Sequence, residues 1–274
     1  MKKLFSINTF NSENLSENNS DEFYHILLLD GNGVFSLDFG EYQISGKTAI
    51  FMSPYQKLNF SLEQEISITK LDFHGDYYCI EYHKKEVACN GLLFNNIYLY
   101  PHFPLNEETF VEISENFQKM KMVDVTEVFS DAVLKSYLQL ILAICSREKS
   151  KILSKNEIST DEFSELKVFQ NLVNQHFLKE KSPAFYAGLL NISPNTLSKK
   201  IKTEFGKTPS QIIQERVILE AKKQIHLTRK SIKEIATEMN FEDEFYFSKY
   251  FKKYTGVSPT KFREKVGISV VADL

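Results

Sequence analysis

Residues 182–209 and 231–259 carry one pattern twice, and this duplication sharply limits how the rear of the 274-residue chain can fold. At an offset of 49, Ser182, Ala187, Leu190, Asn191 and Ile192 correspond to Ser231, Ala236, Met239, Asn240 and Phe241. One inserted residue changes the offset to 50. Leu197, Ser198, Lys199, Ile201, Lys202, Gly206 and Pro209 then correspond to Phe247, Ser248, Lys249, Phe251, Lys252, Gly256 and Pro259. Each copy reads as a short helix, a tight turn, a second helix and a glycine stop. Ala187 and Ala236 stand where two helices would cross closely. Asn191 and Asn240 end the first helix, where left-handed geometry is wanted and asparagine tolerates it. The pattern is that of a helix-turn-helix, whose second helix is a candidate DNA reader.

Helix-start signals are dense in the same region. Ser182-Pro183, Ser193-Pro194, Thr208-Pro209 and Ser258-Pro259 each set a hydroxyl before a proline at the first helical position. Thr208 with Gln211, and Ser231 with Glu234, complete capping boxes. Seven helices are expected, at 163–178, 183–190, 194–205, 209–227, 232–239, 244–254 and 259–266. Projection at about 100° per residue gives each reader two faces. Leu197, Ile201 and Phe205 cluster inward on the first, opposite Asn195, Ser198, Lys199 and Lys202. On the second, Phe247, Phe251 and Tyr254 face in, while Phe245, Ser248, Lys249 and Lys252 face out. The outward sets correspond position for position, which two unrelated amphipathic helices would not do.

Charge divides the chain at the same place. Residues 1–162 hold 14 Lys and Arg against 24 Asp and Glu, a balance of −10. Residues 163–274 hold 19 against 12, a balance of +7. Only the basic rear is suited to a polyanion.

The front reads differently. YHILLLD, GVFSLDF, KTAIFMSP, ISITKLDF and YYCIEYH, between Phe23 and His83, are short apolar or alternating runs separated by turn residues. Such spacing fits a β-sandwich or barrel, with a hairpin at Asp30-Gly31-Asn32-Gly33. Helical periodicity begins after Pro104, at 106–121 and 124–148. In the second segment Val133, Leu134, Tyr137, Leu138, Ile141, Leu142 and Cys145 make a broad apolar stripe. It would either seal a dimer, the favoured reading, or cover an open end of the strand domain. Residues 149–162 are polar and weakly patterned, as in an interdomain linker. The expected division is therefore 1–104 as β domain, 105–148 as helical segment, 149–162 as linker and 163–274 as DNA-binding domain. The fold class is α+β with two domains.

The repeat region resembles the AraC/XylS family of bacterial transcription regulators. The resemblance covers residues 182–266 through LSKKIKTEFGKTPSQIIQERVILEAKKQI and SIKEIATEMNFEDEFYFSKYFKKYTGVSPTKFR. It implies that the long helix at 209–227 bridges the two units, so that both readers enter successive major grooves of one duplex. It also places the base-reading positions on Asn195, Ser198, Lys199, Phe245, Ser248 and Lys249. Lys199 or Lys249 suits guanine O6/N7, Asn195 suits adenine, and Phe245 suits a thymine methyl. Lys200, Lys202, Lys252 and Lys253 are phosphate candidates, the alternative for each being a solvated face. Arg216 fits either a DNA contact or an internal ion pair. The sequence departs from the family at Asn240, where glycine is usual, and in the acidic run Glu242-Asp243-Glu244. Asp243 is read as an N-cap and the run as a match to the helix dipole, with a Glu244–cytosine contact as the less favoured reading.

Strands followed by two helices resemble, more loosely, the cupin-like regulatory domain and dimerisation helices of many members of that family. The front is accordingly expected to be a cupin-like β-barrel or sandwich with two C-terminal helices. The rear is expected to be an all-α tandem helix-turn-helix domain of seven helices. Double-stranded promoter DNA is the implied partner. A small-molecule effector and RNA polymerase are further candidates, and a homodimer is expected through 124–148. Activator is the family's commoner role. A different class of function would be a cupin-type small-molecule or metal enzyme fused to a DNA-binding module. A regulator without ligand, controlled by abundance or a protein partner, is the third reading.

Sequence patterns for chemistry are sparse. His25, His74, His83 and His102 show no His-x-His spacing, and no Gly-rich phosphate loop, GxSxG elbow or HExxH occurs. No catalytic residue, metal or cofactor is expected. Phe35, Phe39, Phe51, Phe60, Phe73, Tyr77, Tyr78 and Tyr82 would form either ordinary core or the lining of an apolar ligand pocket. Cys79, Cys89 and Cys145 are too scattered for a disulfide framework. Lys2 and Lys3 are followed by the polar run 11–22, unlike a signal peptide. Neither 137–145 nor 87–106 suits a membrane span, so a cytoplasmic protein is expected.

Overall fold

The computed structural model describes residues 4–12, 21–80, 91–156 and 162–269. Lys2, Lys3, Tyr82, His83, Cys89 and the 157–161 part of the expected linker lie outside the described residues. The chain forms two compact units. One comprises Met1–Phe35, Gln43–Asn96 and Pro101–Lys155; the other comprises Ser36–Tyr42, Ile97–Tyr100 and Asn156–Leu274.

Among the described residues the front unit has six strands, β1 (Phe5–Asn11), β2 (Phe23–Leu37), β3 (Gly40–Met52), β4 (Leu58–Leu62), β5 (Ser67–His74) and β6 (His102–Pro104). They form one sheet in the order β1-β5-β2-β3-β6, with β4 paired to β2. Register is set by antiparallel pairs such as Phe5 with Phe73, Tyr24 with Phe73, and Ala49 with Phe103. Burial follows the sequence pattern: β3 alternates over its first six residues and is buried throughout its last five. That change separates a one-sided stretch from one covered on both faces.

Two strand expectations need correction. Asp30-Gly31-Asn32-Gly33 does not turn a hairpin, because β2 runs through it for 15 residues. The glycines are needed for close approach instead. A Cβ on Gly33, whose φ is +148°, would meet the Ser61 carbonyl at 2.5 Å, and one on Gly31 would meet the Ile66 side chain. The chain reverses only after Leu37, where Asp38 takes φ +51°. The described part of YYCIEYH is not a strand. Tyr77 and Tyr78 instead donate their backbone N–H groups to the His74 carbonyl in a turn.

Among the described residues two helices complete this unit, α1 (Glu107–Met122) and α2 (Ser130–Asn156). Helix α2 starts six residues later than the expected 124. The Asp124 side chain accepts from the N–H and hydroxyl of Thr126, and Phe129 has φ +68°, so the backbone is committed to a turn. At its other end α2 continues through Asn156, so 149–156 of the expected linker are helical. Glu148 accepts from Arg147 and Lys151 there, while Lys149 is buried. The apolar stripe also takes the less favoured of its two roles. Leu134, Leu138, Ile141, Leu142 and Cys145 are buried in one core with Leu71, Phe73, Phe94, Ile113 and Phe117. The stripe covers the sheet, and Val133 alone of its members is exposed. Phe35, Phe51, Phe73 and Tyr78 are likewise core, with Phe51 stacked on Phe103 at 5.6 Å.

A charged cluster is buried beside that core. His25 Nδ1 lies 2.6 Å from Asp72 Oδ1, and its Nε2 lies 3.0 Å from Asp21 Oδ1. Ser6 donates to Asp72 from β1, and Lys70 lies 3.2 Å from the same carboxylate. Both ring nitrogens face carboxylate oxygens, so the imidazole is held doubly protonated. Burial alone would lower the His25 pKa, but the hydrogen bonds and charges of Asp21 and Asp72 outweigh it, and the net direction is up. Burial would raise Asp72, yet His25 and then Lys70 hold it below its ordinary range. The His25 contribution is therefore complete below an unfolded-state pKa of about 6.5 and is lost as pH rises through the raised folded value. The Asp72 contribution fades at the acid end. Urea midpoints of the front unit should fall from about pH 6.5 upward, and His25→Gln should flatten that fall. A midpoint independent of pH between 6 and 9 would exclude a charged His25.

Candidate nucleic-acid interface

Seven helices follow among the described residues: α3 (Glu162–His176), α4 (Pro183–Leu189), α5 (Pro194–Phe205), α6 (Pro209–Leu227), α7 (Ile232–Glu238), α8 (Glu244–Thr255) and α9 (Pro259–Val266). Side-chain oxygens fix their starts. Ser193 accepts from Thr196 N, Asp243 from Tyr246 N and Ser258 from Lys261 N, while Thr208 and Ser231 form reciprocal boxes with Gln211 and Glu234. Asp243 is thus the N-cap of α8. Ser182 makes no such bond, and Pro183 alone marks that start.

The two copies close their turns with the same bonds. Ile192 N donates to Ala187 O and Phe241 N to Ala236 O, each at about 3.0 Å. Between these residues Asn191 and Asn240 have φ +54° and +57°. Ala187 and Ala236 are buried at the helix crossings. Gly206 and Gly256 then stop α5 and α8 in left-handed geometry, donating to Lys202 O and Lys252 O. A Cβ-bearing residue without an amide is costly at such a φ. Asn240→Ala should therefore lower stability by about 1 kcal/mol while Asn240→Gly is neutral or stabilising. Equal melting temperatures for the two variants would refute this.

Capping and turn geometry leave each second helix with one buried and one open face. Leu197, Ile201 and Phe205 of α5, and Phe247 and Phe251 of α8, are buried; Tyr254 is only partly so. Asn195, Lys199 and Lys202 are exposed and Ser198 is half-buried. In α8, Phe245, Lys249 and Lys252 are exposed and Ser248 is half-buried. The eight residues thus form two matched patches, each with a hydroxyl and two lysines. Phe245 is 85% exposed, an unusual state for a phenylalanine in a domain with a formed core. Tyr246 is also exposed beside it and leans on Phe241. Inward and outward projection did not single Tyr246 out, because it sits at the border of the two faces.

Other cations are engaged within the unit. Lys200 is ion-paired with Glu165 of α3, which argues against the phosphate role considered for it. Arg216 donates to Asn174 and Glu220 and stacks over the Phe177 ring at 4.0 Å, the internal pairing rather than an outward reach. Lys207 and Glu215 form a largely buried pair at 2.7 Å that ties the end of α5 to α6. Burial pushes the Glu215 pKa up to about 7 against the opposing pull of Lys207. No sequence spacing announces this pair, since burial supplies its importance. Among the described residues, no group of three or more His, Cys, Asp or Glu could hold a metal ion, and no helix is long and apolar enough to cross a membrane.

Residues 186–265 match the family model described as a helix-turn-helix domain. The chain is similar to the raffinose operon transcriptional regulatory protein RafR of Pediococcus pentosaceus, 33% identical over 79 residues, or 29% of this chain and 28% of RafR. It is 42% identical over 81 residues to the uncharacterized transcriptional regulatory protein YesN of Bacillus subtilis, covering 29% of this chain and 22% of YesN. These two likenesses span less than a third of either relative. Similarity to the HTH-type transcriptional activator RhaS of Escherichia fergusonii is lower, 21% over 282 residues, but covers 96% of this chain and 98% of RhaS. The matched repeat, its caps and these likenesses agree on one point: residues 186–265 form a helix-turn-helix domain similar to those of AraC/XylS-type transcription regulators.

Proposed function

We propose that this chain is a DNA-binding transcription regulator of the AraC/XylS family, an activator responsive to a small-molecule effector, and that α5 and α8 enter successive major grooves of one promoter duplex. The observation that carries the reading is the pair of matched open faces, Asn195, Ser198, Lys199 and Lys202 on α5 with Phe245, Ser248, Lys249 and Lys252 on α8. Exposed lysines at equivalent positions suit guanine edges and phosphates, and an exposed Phe245 suits a thymine methyl. The front sheet with its two helices is read as a cupin-like regulatory domain that would hold the effector. RNA polymerase is the partner an activator requires. Selection of duplexes from a random library by the full-length protein tests the readers. A consensus with two contacts about one helical turn apart is expected. Binding that is only salt-sensitive, with no consensus, would refute them.

The homodimer is proposed through 124–148, with different residues from the buried stripe. Val125, Val128 and Phe129 are 73–81% exposed, and Met122, Val133 and Leu140 are exposed nearby. Apolar exposure on this scale favours a covered surface. Sedimentation should show a dimer that Val128→Glu with Phe129→Glu converts to monomer. An unaltered sedimentation coefficient in the double variant would remove 124–129 from the interface.

A further inference from the structure

The two helix-turn-helix units share α6, but one side chain also reaches directly from the first unit to the second. Lys181 Nζ lies 4.0 Å from the centroid of the Phe241 ring, within cation–π range. The base of this lysine is anchored. Tyr186, fully buried in α4, donates its hydroxyl to the Glu180 carbonyl at 2.7 Å and packs edge-on against Phe169 of α3. The far end is anchored as well. Phe241 is the turn residue of the second unit, and its ring meets Tyr246, Phe247 and Tyr250 of α8 at 5.2–5.8 Å. Lys181 is exposed as a residue, and partial desolvation of its ammonium lowers its pKa; the contact itself rests on the 4.0 Å distance to the ring.

The contact breaks the symmetry of the repeat. At the offset of 49 the counterpart of Lys181 is Lys230, and that of Phe241 is Ile192, which has no ring to offer. Lys230 pairs with Glu238 in its own unit instead. We propose that Lys181 and Phe241 form a strut fixing the spacing and angle at which the two readers meet DNA, so that Lys181 is a positioning residue for operator spacing. This rests on α5 and α8 being the readers. Without the strut, the units sample arrangements that do not fit both grooves, and affinity falls by the fraction still competent.

The test uses full-length protein and the consensus duplex selected with wild type, alongside duplexes whose contacts are moved apart or together by one base pair. Lys181→Ala should bind the consensus about 3- to 10-fold more weakly and lose a similar share of its preference over the altered spacings. It should bind a duplex with one contact scrambled as wild type does. Lys181→Arg should restore the preference, since guanidinium also stacks on aromatic faces. Undiminished spacing preference in Lys181→Ala overturns the proposal. So does equal weakening on every duplex, which would make Lys181 a phosphate contact. A reading without DNA separates the strut from the reader assignment. The Lys181 Hε protons should resonate upfield from the ring current of Phe241 and return to ordinary values in Phe241→Leu. Absence of that shift overturns the strut whether or not a consensus is found; absence of a consensus overturns the readers.

Discussion

Lys199→Ala and Lys249→Ala are each expected to weaken specific promoter binding by about 5- to 150-fold, the range of one good bidentate base contact. The double variant should lose roughly the product, because the two lysines stand on separate helices without a shared partner. Both side chains are exposed, and neither belongs to the buried sets of α5 and α8, so melting temperatures should not move. Electrophoretic mobility shift at fixed salt, with competitor DNA, measures the loss. Lys202→Ala and Lys252→Ala make the contrast: as phosphate contacts they should weaken all sequences alike and reduce the salt slope by about one each. Wild-type affinity in the Lys199/Lys249 double variant would place the readers' faces elsewhere.

The second large effect is on stability. Phe251 is fully buried, meets Phe262 of α9 edge-on at 5.4 Å and lies 6.1 Å from Phe247. Truncating such a ring removes its transfer energy and leaves a cavity beside the Phe247 and Phe262 rings of α8 and α9. Phe251→Ala should therefore cost about 3–5 kcal/mol, a large part of the stability of any domain. Chemical denaturation followed by far-ultraviolet dichroism should show the helical unit unfolding at lower denaturant, with DNA binding lost in parallel. A loss below about 1 kcal/mol would mean that the core around α8 and α9 collapses around the gap, and that packing there is looser than the ring geometry indicates.

These two variants separate what the sequence makes readable. The helical unit is legible because its determinants are local. A serine or threonine before proline, an asparagine after a seven-residue helix and a glycine closing a twelve-residue helix each act within one turn. The duplication supplies an internal check on every assignment. The front is less legible for the complementary reason. Asp30-Gly31-Asn32-Gly33 has the composition of a turn, but whether it turns depends on β4 and Ile66, which lie some thirty residues onward. The apolar stripe on α2 has the same pattern whether it covers a sheet or a second subunit. Only its packing against Leu71, Phe73 and Phe94 decides between them.

By itself the sequence determined the tandem helix-turn-helix, the two outward faces and the confinement of positive charge to the rear, because caps, periodicity and charge are properties of neighbouring residues. Tertiary structure decided which cations remain available. Lys200 and Arg216 look like Lys199 and Lys202 in the sequence, yet Glu165 engages the first, and Asn174, Glu220 and Phe177 engage the second. It also decided that Lys181, the residue before an N-cap, meets Phe241 sixty positions away. A cation's role depends on what folding brings within a few ångströms of it, and chain spacing carries no record of that distance.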